Sequence, residues 1–313
     1  MLTLAPIALF VYDRPSHTKQ TLDAISANMF ADQTSLYVFI DGPKFNADQS
    51  TIERINETKQ IVKSSNWCKD LIVIERDSNL GLANSIISGV TELVNKFGSA
   101  IVLEDDLVTS KYFLTFMNQA LEFYESENRV ACISGYNYPV EGLLPDIFFL
   151  KGADCWGWAT WKRAWDNFEQ DGTILAKQIQ DRKLKREFDF DNSFPYYQML
   201  EDQIACKNNS WAIRWYASSF LKGQLCLYPG KSFIKNIGLD GSGTHSGNGL
   251  DFLNTNSFCE NYNLVFNKTN IQEDKFTKSL LVKYFRDNFK KDKFKFLKNI
   301  KQIIYKVLNQ FYS

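Results

Sequence analysis

The chain has no CxxC pair, no apolar run approaching the ~20 residues that cross a bilayer, and only two histidines, His17 and His245. Its six cysteines, at 68, 132, 155, 206, 226 and 259, stand apart from one another, several of them inside apolar runs, as reduced core thiols do. Neither G-x-G-x-x-G nor G-x-x-x-x-G-K-[ST] occurs at the first strand-to-helix turn, which argues against the standard dinucleotide and P-loop sites. Residues 1–6 lead straight into a strand-like run with no basic n-region ahead of a long apolar stretch, so the expectation is a cytoplasmic protein. Net charge is zero but uneven. Residues 275–313 hold eleven Lys/Arg against two Asp, a balance of +9, which leaves −9 on residues 1–274. That asymmetry suggests an acidic catalytic body with a basic tail and no nucleic-acid partner.

What the 313 residues do contain is a repeated alternation of short apolar runs and amphipathic stretches, with ample apolar and aromatic content for a folded core. Strand-like runs at 7–12, 36–40, 71–74 and 101–103 alternate with helical stretches at 15–29, to about 64, and around 86–97. Four such alternations predict an α/β fold with a mostly parallel, doubly wound sheet. A Phe-rich helix over 111–127 and a fifth strand over 129–134 extend it.

Polar residues fall just beyond the carboxyl ends of these runs: Arg14, Asp41, Arg76, and the triplet Glu104, Asp105 and Asp106. Ligands bind along that edge in open α/β sheets. Three adjacent carboxylates repel one another, so a site that keeps them together usually offers a cation or hydrogen-bonding ligand in return. The competing reading is an acidic surface turn ahead of a helix N-terminus. Arginine and carboxylates on one edge suit an anionic ligand held partly through a metal ion.

The second half changes character. Trp156, Trp158, Trp161 and Trp165 stand within ten residues. Indole rings stack on sugar faces and donate one hydrogen bond each, which fits a carbohydrate cleft; a tryptophan-rich core is the alternative. Helical stretches at about 170–190 and 194–207, the latter with Glu201 and Asp202, precede a helix opening at Trp211. Strands at 225–228 and 232–237 lead to a glycine-rich loop, 238–247, which holds His245 and could close over a ligand. The spacing from Asp240 lacks the later acidic ligands of a calcium loop. The lysine-rich tail carries Leu281, Phe285, Phe289, Leu297, Ile300 and Ile304 at near-helical spacing. Either a basic helix lying on an anionic membrane surface or a helix docked on the body accounts for it.

Over residues 5–247 the sequence resembles the GT-A glycosyltransferases, including bacterial family-2-like sugar transferases. Within them it is similar to the branch containing the N-acetylglucosaminyltransferase I enzymes and their bacterial relatives. The residues that carry the resemblance are Val102-Leu-Glu-Asp-Asp-Leu-Val-Thr-Ser-Lys-Tyr-Phe113 through Val130-Ala-Cys-Ile-Ser134, the pair Asp13-Arg14, the tryptophan-rich middle, Asn236-Ile-Gly238 and Gly243-Thr-His245. The resemblance implies one GT-A domain in two halves, a nucleotide-sugar half (1–135) and an acceptor half (136–250), followed by a linker and basic tail (251–313). It implies an inverting transferase of hexosyl type that uses Mn2+ or Mg2+ and a nucleotide-sugar donor, with UDP and N-acetylglucosamine favoured. The acceptor would be a glycan or lipid-linked glycan in cell-surface polysaccharide synthesis. Asp106 would coordinate the metal, with His245 reaching it or the diphosphate; Asp105 and Glu104 would contact ribose and donor sugar. Arg14 would help neutralise phosphate and Asp41 would sit near the base, with Arg76 on the same edge counted among the donor-binding residues. Relatives place an aspartate between two tryptophans, where this chain reads Ser210-Trp211-Ala212-Ile213-Arg214-Trp215. Alanine cannot take a proton, so Asp202, or its neighbour Glu201, is the expected base. Trp156, Trp158 and Trp161 would bind the acceptor.

Two other classes fit parts of the pattern. A sugar nucleotidyltransferase would use a similar sheet but needs a glycine-rich phosphate loop that Phe10-Val-Tyr-Asp-Arg14 does not offer. A non-catalytic carbohydrate-binding protein would need the tryptophans but not the acids.

Overall fold

The computed structural model describes residues 4–240, 251–253, 259–264, 266 and 271–289. The first half is a succession of strand and helix: β1 (Ile7–Val11), α1 (Pro15–Ser26), β2 (Ser35–Ile40), α2 (Gln49–Lys63), β3 (Asp70–Glu75), α3 (Leu82–Phe97) and β4 (Ser99–Glu104). The second half contains β5 (Leu107–Thr109), α4 (Phe113–Phe123), β6 (Val130–Ser134), β7 (Ile147–Lys151), β8 (Trp158–Trp161), α5 (Lys162–Trp165), α6 (Gly172–Asp181), α7 (Lys185–Phe188), α8 (Tyr196–Ile204), α9 (Trp211–Leu221), β9 (Leu225–Pro229) and β10 (Ile234–Asn236).

Local chemistry sets the helix ends. Pro15 opens α1, where its fixed φ suits the first turn and its missing N–H costs nothing. The Asp48 carboxylate accepts from the Thr51 amide at 2.7 Å and starts α2. Gly98, at φ 82°, ends α3 in the left-handed conformation that only glycine adopts freely, and its amide donates back to Val94.

The strands run in the order β3-β2-β1-β4-β8-β6-β9-β7. β1 to β4, β6 and β9 point one way, whereas β7 and β8 are antiparallel to their neighbours. This is the mostly parallel α/β sheet that the sequence implied, and it continues unbroken across residue 135. Alternate residues of one strand feed two cores. Ile7, Leu9 and Val11 pack under α1, α2 and α4, while Ala8 and Phe10 pack under α3 and the tryptophans of the second half. A strand buried on both faces needs an uninterrupted apolar run, and β1 has one. A third, smaller core joins α6, α7, α8 and α9.

The sugar-stacking role expected of two tryptophans is overturned here. The tryptophan-rich run is a central strand, β8, inserted between β4 and β6. Trp158 is fully buried, its ring stacked on Trp211 with centroids 5.3 Å apart and beside Trp165 and Trp215. Trp161 is buried as well, donating from Nε1 to the Leu121 carbonyl at 3.1 Å. Neither ring can stack on a sugar. In the tail, a helix over 275–289 docks on the body, burying Leu281, Val282 and Phe285, the last against Tyr138, Phe190 and Phe194. Those three apolar positions serve the core; residues 290–313, with Leu297, Ile300 and Ile304, lie outside the described residues.

No helix among the described residues is long and apolar enough to cross a membrane, and the six cysteines are free thiols.

Candidate active site

β4 ends on Glu104 in the middle of the sheet, and the chain turns through Asp105 and Asp106 into β5. Three separate tethers fix this turn. Thr21 on α1 donates its hydroxyl to the Asp105 carbonyl at 2.7 Å. β5 pairs antiparallel with β10, and the Ile237 amide, just past β10, donates to the Asp106 carbonyl at 2.9 Å. Gly238 then lies so close to the Asp106 carboxylate that any Cβ there would overlap Oδ2. The acids are thus held by an early helix and a late strand, more than a hundred residues apart.

Arg14, at the start of α1 beside β4, reaches both aspartates. It forms a two-pronged pair with Asp105, through Nη2 to Oδ1 and Nε to Oδ2 at 3.2 Å, and its Nη1 lies 3.0 Å from Asp106 Oδ2. Burial works against the guanidinium charge, but the charges of Asp105 and Asp106 outweigh it and raise the Arg14 pKa above its ordinary value. One arginine does not neutralise three carboxylates. Burial, and then the charges of Asp106 and Asp105, push Glu104 up to about 8, while burial pushes Asp105 up to about 6 in spite of Arg14. The cluster therefore retains a deficit of positive charge.

His17, one turn along α1 from Arg14, points to the same place: its Nε2 lies 3.1 Å from Asp240 Oδ2, and its charge bears on Asp105. His17 and Thr21 escaped the sequence reading, although their spacing of three and seven from Arg14 puts them on one helical face. His245 lies outside the described residues.

The other expected residues of this edge do not join the acids. Asp41 is buried and accepts from the backbone amides of Gly42 and Leu80 at Oδ1 and of Gly81 at Oδ2, so it clamps the approach to α3 instead of facing a base. Arg76 follows β3, three strands from β4, roughly 14 Å away at about 4.8 Å per strand. A cavity of about 280 Å³ lies at the turn after β1 that leads to Arg14, lined by Tyr12, Asp13, Lys44, Asn46, Asp48 and Thr51.

The expected base is also misplaced. Asp202 sits on α8, in the helical layer with α6 and α9, where its carboxylate accepts from Lys207 Nζ at 3.0 Å and Gln198 at 3.2 Å. The Lys207 hydrogen bond lowers its pKa, the wrong direction for a group that must take a proton. Glu201 is exposed on the same helix.

A different carboxylate, Asp154, lies in the core beyond β8 and against β9. The segment between β7 and β8 crosses to the top of the sheet. There Trp158 pairs with Val102, Gly157 packs on Leu103, and the Gly157 carbonyl accepts from the Gly135 amide at 2.6 Å. Trp156 is half-buried and edge-on to Tyr136. Asp154 lies two residues earlier. Its Oδ1 accepts from the Cys155 and Trp156 amides at 2.6 and 3.2 Å, and its Oδ2 from the hydroxyls of Tyr228 and Tyr138 at 3.1 and 3.3 Å. Burial raises the Asp154 pKa, although all four donors pull it down. The Cys155 thiol is held well above its ordinary value by burial and by the charges of Asp154, Glu104 and Asp106, so both acidic centres bear on one sulfur.

Among the described residues, no three His, Cys, Asp or Glu side chains converge as a ready-made metal cage. Mg2+ rarely uses one: it is held by one or two carboxylates together with substrate phosphates. The oxygens of Asp106 and Glu104 not claimed by Arg14 match that partial donor set in number and hardness.

No family model matches the sequence, and no curated relative does. Among solved structures the chain is similar to Staphylococcus aureus TarS residues 1–349, with 12% identity over 73% of this chain and 59% of that one, at a TM-score of 0.38. A longer S. aureus TarS structure matches 47% of this chain and 24% of its own at 14% identity, TM-score 0.30. The chain thus spans under two thirds of either. Likenesses of that size bear on neither activity nor substrate.

Proposed function

We propose that this chain is a glycosyltransferase that moves a sugar from a nucleotide diphosphate donor to a glycan or glycolipid hydroxyl with inversion at the anomeric carbon. The supporting observation is the Glu104-Asp105-Asp106 turn at the middle of the sheet's carboxyl edge, bridged by Arg14 and still short of positive charge. A divalent ion, Mn2+ or Mg2+, fits that deficit, with Asp106 and Glu104 as its protein ligands. When bound, it would offset charge developing on the leaving diphosphate. Arg14 adds a fixed positive charge beside it. The guanidinium is held in place by Asp105, so it needs no reorganisation when the glycosidic bond to phosphate breaks. The cavity at the turn leading to Arg14 has the size and polar lining for a nucleoside. UDP and N-acetylglucosamine are the favoured donor, in keeping with the resemblance to the N-acetylglucosaminyltransferase I branch, and cell-surface polysaccharide synthesis is the favoured setting.

A purely carbohydrate-binding role loses its main support with the burial of Trp158 and Trp161. Calorimetry with UDP-N-acetylglucosamine, UDP-glucose, UDP-galactose and GDP-mannose, each with and without Mn2+, tests the proposal. One donor should bind in a metal-dependent way, and Asp106→Ala should abolish that binding while the protein still melts cooperatively. Metal-independent binding, or none with any nucleotide sugar, would refute it.

A further inference from the structure

The acids that would hold the metal are reached by two distant parts of the chain, α1 and the end of β10, and the pair of His17 with Asp240 ties those parts together. We propose that His17 is a positioning residue of the metal site: through Asp240 it holds the backbone after β10 on α1, and so keeps Gly238 seated against the Asp106 carboxylate. This rests on the glycosyltransferase reading above.

Arg14, His17 and Thr21 stand at positions i, i+3 and i+7, on one face at the start of α1. Each grips a different part of the site. Arg14 binds the carboxylates of Asp105 and Asp106, Thr21 binds the Asp105 backbone carbonyl, and His17 Nε2 lies 3.1 Å from Asp240 Oδ2. That last contact needs a proton on Nε2, which the neutral Nε2–H tautomer and the imidazolium both carry. From the late side, Ile237 donates its amide to the Asp106 carbonyl, and the Gly238 amide donates to Asn236 Oδ1 at 2.7 Å. Gly238 thus lies between two anchors, the β5–β10 pairing before it and the His17–Asp240 pair two residues after it. A Cβ on Gly238 would overlap Asp106 Oδ2, so this backbone sits tight against the carboxylate and passes any displacement to it.

The magnitudes point to the site and not to overall stability. The His17 side chain is 13% exposed but that of Asp240 is 48% exposed, and a pair with one partner so open to water adds little to folding. A group that orients a metal ligand without touching the metal, by contrast, commonly changes metal affinity about 10–100-fold. His17 pairs with Asp240 and not with the three acids, so its influence on Asp106 runs through the backbone from Asp240 to Gly238.

The test follows UDP release from the UDP-sugars named above, with water as the acceptor, in the full chain as Mn2+ is titrated. For His17→Leu we expect the Mn2+ concentration at half-maximal release to rise about 10–100-fold, with the melting temperature in EDTA unchanged. His17→Gln carries an amide N–H that can donate to Asp240 in place of Nε2, so it should stay close to the parent. Asp240→Ala should raise the Mn2+ requirement as well, and the double variant with His17→Leu should be no worse than Asp240→Ala alone, because both changes remove the same contact. A loss that glutamine fails to restore, that adds to the loss in Asp240→Ala, or that comes with a lower melting temperature overturns the positioning role. If Asp106→Ala silences release and His17→Leu leaves the Mn2+ requirement as it was, this inference falls and the glycosyltransferase reading stands. No release by the parent protein from any donor removes both.

Discussion

Two carboxylate centres of the molecule are held by opposite means. On the β1 side, Asp105 and Asp106 are bound by the guanidinium of Arg14, and Glu104 beside them is left with no hydrogen-bond donor among the described residues. In the core beyond β8, the Asp154 carboxylate meets only amides and phenols, four neutral donors that orient it without opposing its charge. Ion pairs fix charge in place and resist titration; neutral donors fix position and leave the proton free to come and go.

Breaking the charged centre should give the largest effect. Arg14→Ala leaves three adjacent carboxylates without their cation, a loss on the order of 3 kcal/mol, read by thermal melting in EDTA. Mn2+ should then raise the melting temperature of the variant more than that of the parent, because it takes over the missing charge. A variant that melts like the parent would show that Arg14 does not hold the cluster.

This centre was also the legible one. Arg14 and the three acids end apolar runs that are buried on both faces, so the βα alternation alone aligned them. The same logic misread Asp41 and Arg76, because strand order determines which strand ends are neighbours, and order is not written in the alternation. The centre beyond β8 was hidden for a related reason. An antiparallel strand placed between β4 and β6 from much later in the chain looks, in sequence, like a cluster of indoles awaiting a ligand. Asp154 carries no motif at all; only the arrival of Tyr138 and Tyr228 from other elements distinguishes it. Asp202 was attractive as an acid on a helix, and the sequence could not tell that Lys207 folds back onto it.

A smaller effect separates the two centres by pH. Glu104 titrates near 8 in the folded protein, above its ordinary value of 4.5, so the native state favours its protonated form. Its contribution is fully present below about 4.5 and lost as pH rises through about 8. In EDTA the parent should therefore lose melting temperature over that window. Glu104→Gln should flatten the decline, and an unchanged slope would mean that Glu104 ionises as freely as in the unfolded chain.

The smallest effect is expected at Asp202→Asn, which touches neither centre. UDP release and melting temperature should both match the parent. A large loss of release at unchanged melting temperature would give the proton-accepting role to α8.

The contact between Gly238 and Asp106 bears on how this site can be altered. A library randomised at residue 238 and screened for UDP release should return glycine almost alone, because even alanine displaces the carboxylate. Neighbouring Ile237 contributes its backbone amide to the Asp106 carbonyl, which every residue but proline can do. Mutational tolerance should therefore change sharply between two consecutive positions. Redesign of donor choice is better begun at the cavity by the turn leading to Arg14 than on the late strand that braces the acids.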